Sequence, residues 1–131
     1  GNIVPYGTKA KLWKAILNGD DEALTEILAA YPSLLNKHYG GNKIENGRPD
    51  CPPIVLAARY NQDKIVAQLL GYDDILPNKK CNTNGWTALH YAAIDGHDDT
   101  LDTLLRDPRV EVNARNFLGA TPLHIACMNG Q

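Results

Sequence analysis

The sequence predicts an all-α fold, a solenoid of stacked helix-turn-helix units with short β-hairpin or loop fingers. Three observations predict it. The stretch Gly85 to Gly96, G-W-T-A-L-H-Y-A-A-I-D-G, returns as Gly119 to Gly130, G-A-T-P-L-H-I-A-C-M-N-G, 34 positions further on (Thr87 to Thr121, His90 to His124). A unit that short cannot bury its apolar face alone, so its return at a fixed period signals stacking. Each copy also carries its own helix start and stop: Thr121 suits an N-cap and Pro122 the first helical position, while Gly130 can take the left-handed conformation that ends a helix. A second amphipathic stretch follows the first copy, with Leu101, Leu104 and Leu105 at helical spacing.

At these residues the chain resembles a known family. Thr87-Ala88-Leu89-His90-Tyr91-Ala92 and Thr121-Pro122-Leu123-His124-Ile125-Ala126 are similar to the T-P-L-H-x-A core of the ankyrin repeat. Gly96-His97-Asp98-Asp99 opens the second helix, and Val110-Glu111-Val112-Asn113 resembles the V-N finger of that family. The match is specific in these two units and weaker before them.

Composition sets the outer bounds. With 131 residues, 44% of them hydrophobic, the chain is one domain by size. Its 13 Lys and Arg nearly balance 15 Asp and Glu, a formal net charge of −2, which lacks the basic footprint of a nucleic-acid binder. There is no apolar run of spanning length and no secretory pattern. Cys51, Cys81 and Cys127 are odd in number and widely spaced, which argues against a disulfide framework and against a zinc site. The expected location is therefore a reducing, cytoplasmic compartment, or the host cytosol if the chain is a bacterial effector.

The elements follow in order, as repeats over 8–36, 50–80, 82–115 and 116–131. Lys11 to Gly19 reads as a first helix with Leu12, Ala15 and Ile16 on one face. Asp20-Asp21-Glu22 begins the next, with Leu24, Ile27 and Leu28 as its apolar stripe. This unit lacks the Thr, Pro and His, as terminal repeats often do. A stretch rich in Gly, Asn and Pro then forms a long finger insertion, 37–50, either functional or simply tolerated. In the second unit Pro52 takes the threonine position, Val55 the histidine position and Asn61 the glycine stop; its second helix carries Ile65, Val66, Leu69 and Leu70. Without a histidine at 55, one link between repeats is missing and lower local stability is expected. Asn36, Asn78 and Asn113 each lie at the same place beyond their second helices. The fourth unit stops before any second helix, so the chain reads as a fragment of a longer protein.

Histidine titrates and ligates near neutral pH, so His90 and His124, with Cys127, invite a catalytic reading. Their recurrence at the repeat period points instead to structure: in the resembling family this histidine bridges its own threonine and the neighbouring finger. Acidic residues crowd the first turns of the second helices (Asp20, Asp21, Glu22, Asp63, Asp98, Asp99), where the helix dipole favours anions by about 0.3 to 1 kcal/mol each. A partner-binding acidic patch with Asp95 and Asp102 is the alternative.

The family resemblance implies a concave groove, lined by fingers and first helices, that grips a partner protein or peptide. It places Thr83, Asn84 and Trp86 in one finger and Arg115, Phe117, Leu118 and Ala120 in the next. Arg59, Tyr60, Ile94, Asp95, Met128 and Asn129 fall at the exposed ends of first helices. Trp86, Arg59, Tyr60 and Phe117 are the sharpest candidates, because Trp, Tyr and Arg most often dominate binding energy. Trp86 and Phe117 could equally pack finger on finger. The expected protein is a monomeric interaction module without catalysis, cofactor or metal, and without nucleic-acid or membrane partners. The alternative is a targeting or regulatory domain of a larger enzyme or secreted effector.

Overall fold

The computed structural model describes residues 3–38 and 50–128. Most of the 37–50 insertion, the Gly130 stop and Asn129 lie outside the described residues. Among the described residues seven α-helices run in chain order: α1 Thr8–Asn18, α2 Asp21–Ala30, α3 Pro53–Arg59, α4 Asp63–Leu70, α5 Ala88–Ile94, α6 Asp98–Leu105 and α7 Pro122–Met128. They form two rows. The first helices α1, α3, α5 and α7 lie side by side, the second helices α2, α4 and α6 lie behind them, and each pair is antiparallel across a tight turn. This is the all-α repeat solenoid that the 34-residue period implies.

The turns explain why such short helices hold their ends. Gly19 and Gly96 sit at φ 66° and 63°, and Asn61, the replacement for glycine, takes φ 55°. The residue after each stop reaches back one repeat: Gln62 Nε2 donates to Leu17 O at 2.6 Å, and the His97 ring Nδ1 meets Ala58 O at 3.3 Å. α1 begins at Thr8, before the Lys11 expected from its apolar spacing, because its first turn is stabilised by Lys11 N–H donating to Gly7 O.

Between rows lies one continuous core. Leu12, Ile16, Leu24, Leu28, Ile54, Leu56, Ile65, Val66, Leu69, Leu89 and Leu104 are all buried. Ala57, Ala58 and Ala92 are fully enclosed, their methyl groups allowing adjacent first helices to approach closely. Burying a Leu or Ile side chain stabilises by roughly 1.5 to 3 kcal/mol, so this core and not helix propensity holds the short helices.

One expectation about the last units needs correction. Leu105 was placed on the buried face of α6 but is 49% exposed, whereas its counterpart Leu28 is buried. On α7 the buried residues are Pro122 and Ile125; Leu123 is 70% exposed and Cys127 is exposed. The reason is positional. α2 is covered by α4 and α4 by α6, but among the described residues no helix lies against the far side of α6 and α7.

The cysteine reading also changes. Cys51 and Cys81 are joined in a disulfide across 30 positions, both fully buried, and Cys127 alone is free. The bond joins the residue two before α3 to the finger of the next repeat. Wide sequence spacing misleads here because stacking brings equivalent positions of neighbouring repeats together. The argument from cysteines to a reducing compartment therefore lapses, since such bonds persist mainly in oxidising environments. Among the described residues no helix is long and apolar enough to cross a membrane.

Candidate partner-binding site

The site is built where the fingers meet the first row. At α5, Thr87 is the N-cap: its Oγ1 accepts from His90 N, and Thr87 N donates to His90 Nδ1 at 3.1 Å, closing a capping box. With Nδ1 acting as acceptor, Nε2 carries the proton and donates to Ala120 O in the next finger at 2.9 Å. Burial holds the His90 imidazole below its ordinary pKa; the Lys80 charge acts in the same direction and the Ala120 hydrogen bond opposes both. A neutral, fully enclosed ring with both nitrogens committed is a structural strut. Thr121 and His124 repeat the first half of this arrangement.

In the second repeat Val55 occupies the histidine position, fully buried. The carbonyl such a histidine would meet, on Trp86, accepts from Cys81 N within its own finger at 2.9 Å, as Ala120 O does from Asn116 N, so valine here leaves no carbonyl unpaired. The Cys51–Cys81 bond and the pairing of Asn82 with Asp50, through backbone at 3.0 Å and side chains at 2.8 Å, supply the inter-repeat tie instead. The asparagines add another. Asn36 donates to Asp74 O and accepts from Leu76 N, and Asn78 does the same with Arg109 O and Glu111 N, stitching successive fingers together.

On this frame the first row carries a chain of rings and one cation. Trp13 of α1 meets Tyr60 edge-on at 5.9 Å between centroids. The Arg59 guanidinium lies 5.8 Å from the Tyr60 ring and 5.6 Å from the Tyr91 ring. Tyr91 packs against Trp86 at 4.9 Å, and its hydroxyl accepts from Asn84 Nδ2 at 3.1 Å. Trp86 also leans on His90, at 5.9 Å. Trp13 is buried, Arg59 and Trp86 are half-buried, and Tyr60 is 40% exposed. The ladder is thus anchored at its base and open at its edges.

Of the residues singled out by sequence, Arg59, Tyr60 and Trp86 belong to this ladder. Phe117 reaches the neighbouring finger: its N–H donates to Asn84 O at 3.0 Å, and its ring lies over Gly85. Finger-on-finger packing is therefore real for Phe117, though 63% of it remains exposed. Arg115 is exposed and donates to Gly119 O within its own finger; Leu118 stands 95% exposed at the tip. Asp95 is exposed at the end of α5, Ile94 is half-buried, and Met128 is 81% exposed on α7. None of these five, Arg115, Leu118, Asp95, Ile94 and Met128, belongs to the ladder.

Tyr91 and Trp13 were missed. Tyr91 is the variable position of the T-x-L-H-x-A core, and Trp13 stands at the histidine position of the first unit when the units are aligned on Gly19 and Gly96. That alignment was the available signal. Among the described residues no three His, Cys, Asp or Glu side chains are grouped to hold a metal ion. Cys127 is exposed beside His124, whose Nδ1 accepts from Thr121 N at 3.2 Å.

Paired short helices, glycine-type stops, Thr–His boxes and stitched fingers define a helical repeat protein. The model for ankyrin repeats, in three copies, matches residues 12–116, and the chain belongs to the ankyrin repeat family. It is 45% identical over 128 residues to SMC5-SMC6 complex localization factor protein 1 of Bos taurus, covering 98% of this chain and 10% of that one. It is 31% identical over 134 residues to tyrosine-protein kinase Shark of Drosophila melanogaster, covering 86% of this chain and 14% of that protein. With target of rapamycin complex 2 subunit AVO2 of Saccharomyces cerevisiae it shares 31% identity over 121 residues, 91% of this chain and 26% of that subunit. The chain thus spans about a quarter or less of these relatives. Ankyrin repeats are protein-interaction modules, and the fold is typically non-catalytic.

Proposed function

We propose that this chain binds a segment of another protein along the surface shared by the first-row helices and the fingers, centred on Arg59, Tyr60, Tyr91 and Trp86. The observation that carries this reading is the ring ladder itself. Its members span the stacked repeats in unbroken contact, yet Tyr60 keeps 40% of its surface and the edges of Arg59 and Trp86 face outward. Aromatic rings and a guanidinium held by their neighbours lose little side-chain entropy on binding, which is what makes such residues dominate interfaces. Arg115, Phe117 and Leu118 extend the surface along the next finger, and Ile94, Asp95 and Met128 border it. The repeat boundaries 8–36, 50–80, 82–115 and 116–131 give this surface its register.

A second reading is favoured by the small share of each relative that the chain spans. In it the module targets or regulates a larger protein, as the occurrence of similar repeats in a tyrosine kinase suggests. The groove serves both readings. The test is a comparative capture experiment using the chain, a Tyr60→Ala/Arg59→Gln variant and an Asp99→Ala variant on the second row. Proteins retained by the first and third but lost from the second support the groove; equal losses from both variants contradict it.

A further inference from the structure

The charges are divided between the two rows. On the first row, Lys9, Lys11 and Lys14 lie on α1 and Arg59 on α3, while α5 and α7 carry no charged residue; no carboxylate falls within any of these helices. The second row is the reverse: carboxylates open α2, α4 and α6, and Lys64 is their sole basic residue. The helix dipole explains the acids of the first turns, Asp21, Glu22, Asp63, Asp98 and Asp99, while Glu26 and Asp102 lie further along α2 and α6. It also suits Arg59 in the last turn of α3, but not Lys9, Lys11 and Lys14, which run through α1.

Their surroundings say more. Lys9 of α1 shares a cleft with Lys37 and His38 of the first finger, floored by Trp13 and Leu56. The His38 Nε2–H donates to Lys80 O at 2.7 Å, which brings the exposed Lys80 of the second finger to the same edge. Trp13 leads through Tyr60 to Arg59, so the cleft and the ring ladder are continuous. Among the described residues the ion pairs are Arg106 with Asp102 and Arg109 with Asp107, and neither involves these cations. Asp50 is engaged by Asn82, and Asp95 is exposed just past the end of α5.

We infer that the partner of this surface is an acidic peptide segment, whose Asp or Glu carboxylates meet Lys9, Lys37 and Arg59 while an apolar side chain between them lies against Tyr60 and Trp86. The inference rests on the groove reading above and adds the chemistry of the occupant. Charge complementarity carries it: in a chain of net charge −2, Lys9, Lys37 and Arg59 have no ion pair among the described residues, whereas Lys11 and Lys14 line a separate cleft with Asp20 and Glu26. Several carboxylates suit the arrangement better than one phosphate, because the cations are spread from the Lys9–Lys37 cleft to Arg59 further along the ring ladder. A guanidinium stacked on two rings still offers its edge N–H groups, and these match a carboxylate in a two-point hydrogen bond.

The experiment uses the chain with short synthetic peptides that keep one central apolar residue and vary only the flanks: Glu, phosphoserine, Gln or Lys. Affinity is read by fluorescence anisotropy at low and physiological salt. The expected result is that the Glu series binds at least tenfold tighter than the Gln series, weakens with salt, and loses about tenfold with Arg59→Gln or with Lys9→Gln/Lys37→Gln. Circular dichroism confirms that each variant is folded, and Lys64→Gln on the second row serves as the neutral control.

Gln or Lys peptides that bind as well as Glu peptides, with Tyr60→Ala still harmful, overturn the acidic preference and leave the groove standing. Tighter binding of phosphoserine peptides overturns the carboxylate assignment. Binding by none of the peptides, or binding indifferent to Arg59, Tyr60 and Trp86, overturns both. An anionic oligonucleotide serves as the remaining arm, and its binding with the same Arg59 dependence overturns the choice of a peptide.

Discussion

At the scale of single residues, His90 and Gly85 show how much of the repeat rests on one side chain. His90 makes hydrogen bonds to its own N-cap and to Ala120 of the next finger while fully enclosed. Removing it leaves Thr87 N without its acceptor, cuts the tie to the next finger, where Ala120 O keeps only Asn116 N as donor, and empties an enclosed space, so His90→Ala is expected to lower unfolding free energy by about 2 to 3 kcal/mol in urea titration. Its folded pKa lies below the ordinary 6.5, so the unfolded chain takes up the proton first as pH falls. The contribution is therefore full above about 6.5 and is lost on acidification through the folded pKa. His90→Gln should flatten that part of the pH–stability curve; an unchanged slope would contradict the buried neutral ring. Gly85 sits at φ 73°, and a Cβ there would lie 2.4 Å from the Phe117 ring. Gly85→Ala should cost about 1 to 2 kcal/mol in the same assay, by backbone strain and displacement of Phe117. Thr87 and His90 were legible in the sequence because the period repeats them. Tyr91 and Trp13 were not, because each occupies its position in only one repeat, and a residue used once leaves no periodic signal.

At the scale of elements, the stops and caps were readable: Gly19, Asn61 and Gly96 end the helices they were expected to end, and Thr87 starts α5. Apart from the histidine bridge that the family resemblance implied, contacts arising from one repeat lying on another could not be read. Cys51 and Cys81 are an instance, since their contact comes from stacking and not from nearness in the chain. The bond compensates at the place where Val55 replaces the histidine. Closing a loop of this length is expected to contribute about 3 to 4 kcal/mol, mainly by restricting the unfolded chain. Thiol titration of the denatured, unreduced protein should find Cys127 alone reactive, and reduction should lower the denaturation midpoint. Cys51→Ser/Cys81→Ser should reproduce that midpoint and make it insensitive to reductant. Three reactive thiols before reduction would contradict the pairing. Leu105 was misjudged for a related reason: burial on α6 depends on a neighbour, and helical spacing says only which residues share a face.

At the scale of the whole molecule, two rows of helices divide the work. The second row is acidic and closes the core from behind. The first row, with the fingers, carries the lysines of α1, Arg59 and the ring ladder, and is the surface proposed to meet a partner. The period made the solenoid legible, and the family pattern suggested which residues to consider for a groove. The continuity of Trp13, Tyr60, Arg59, Tyr91 and Trp86 became visible only in three dimensions. The most direct test of the account is a map of amide chemical-shift changes as a bound protein or peptide is titrated onto the isotope-labelled chain. The account predicts that the largest changes fall on Arg59, Tyr60, Tyr91 and the Trp86 finger, with α2, α4 and α6 nearly silent. Changes concentrated on the acidic second row, with the ring ladder unmoved, would contradict it.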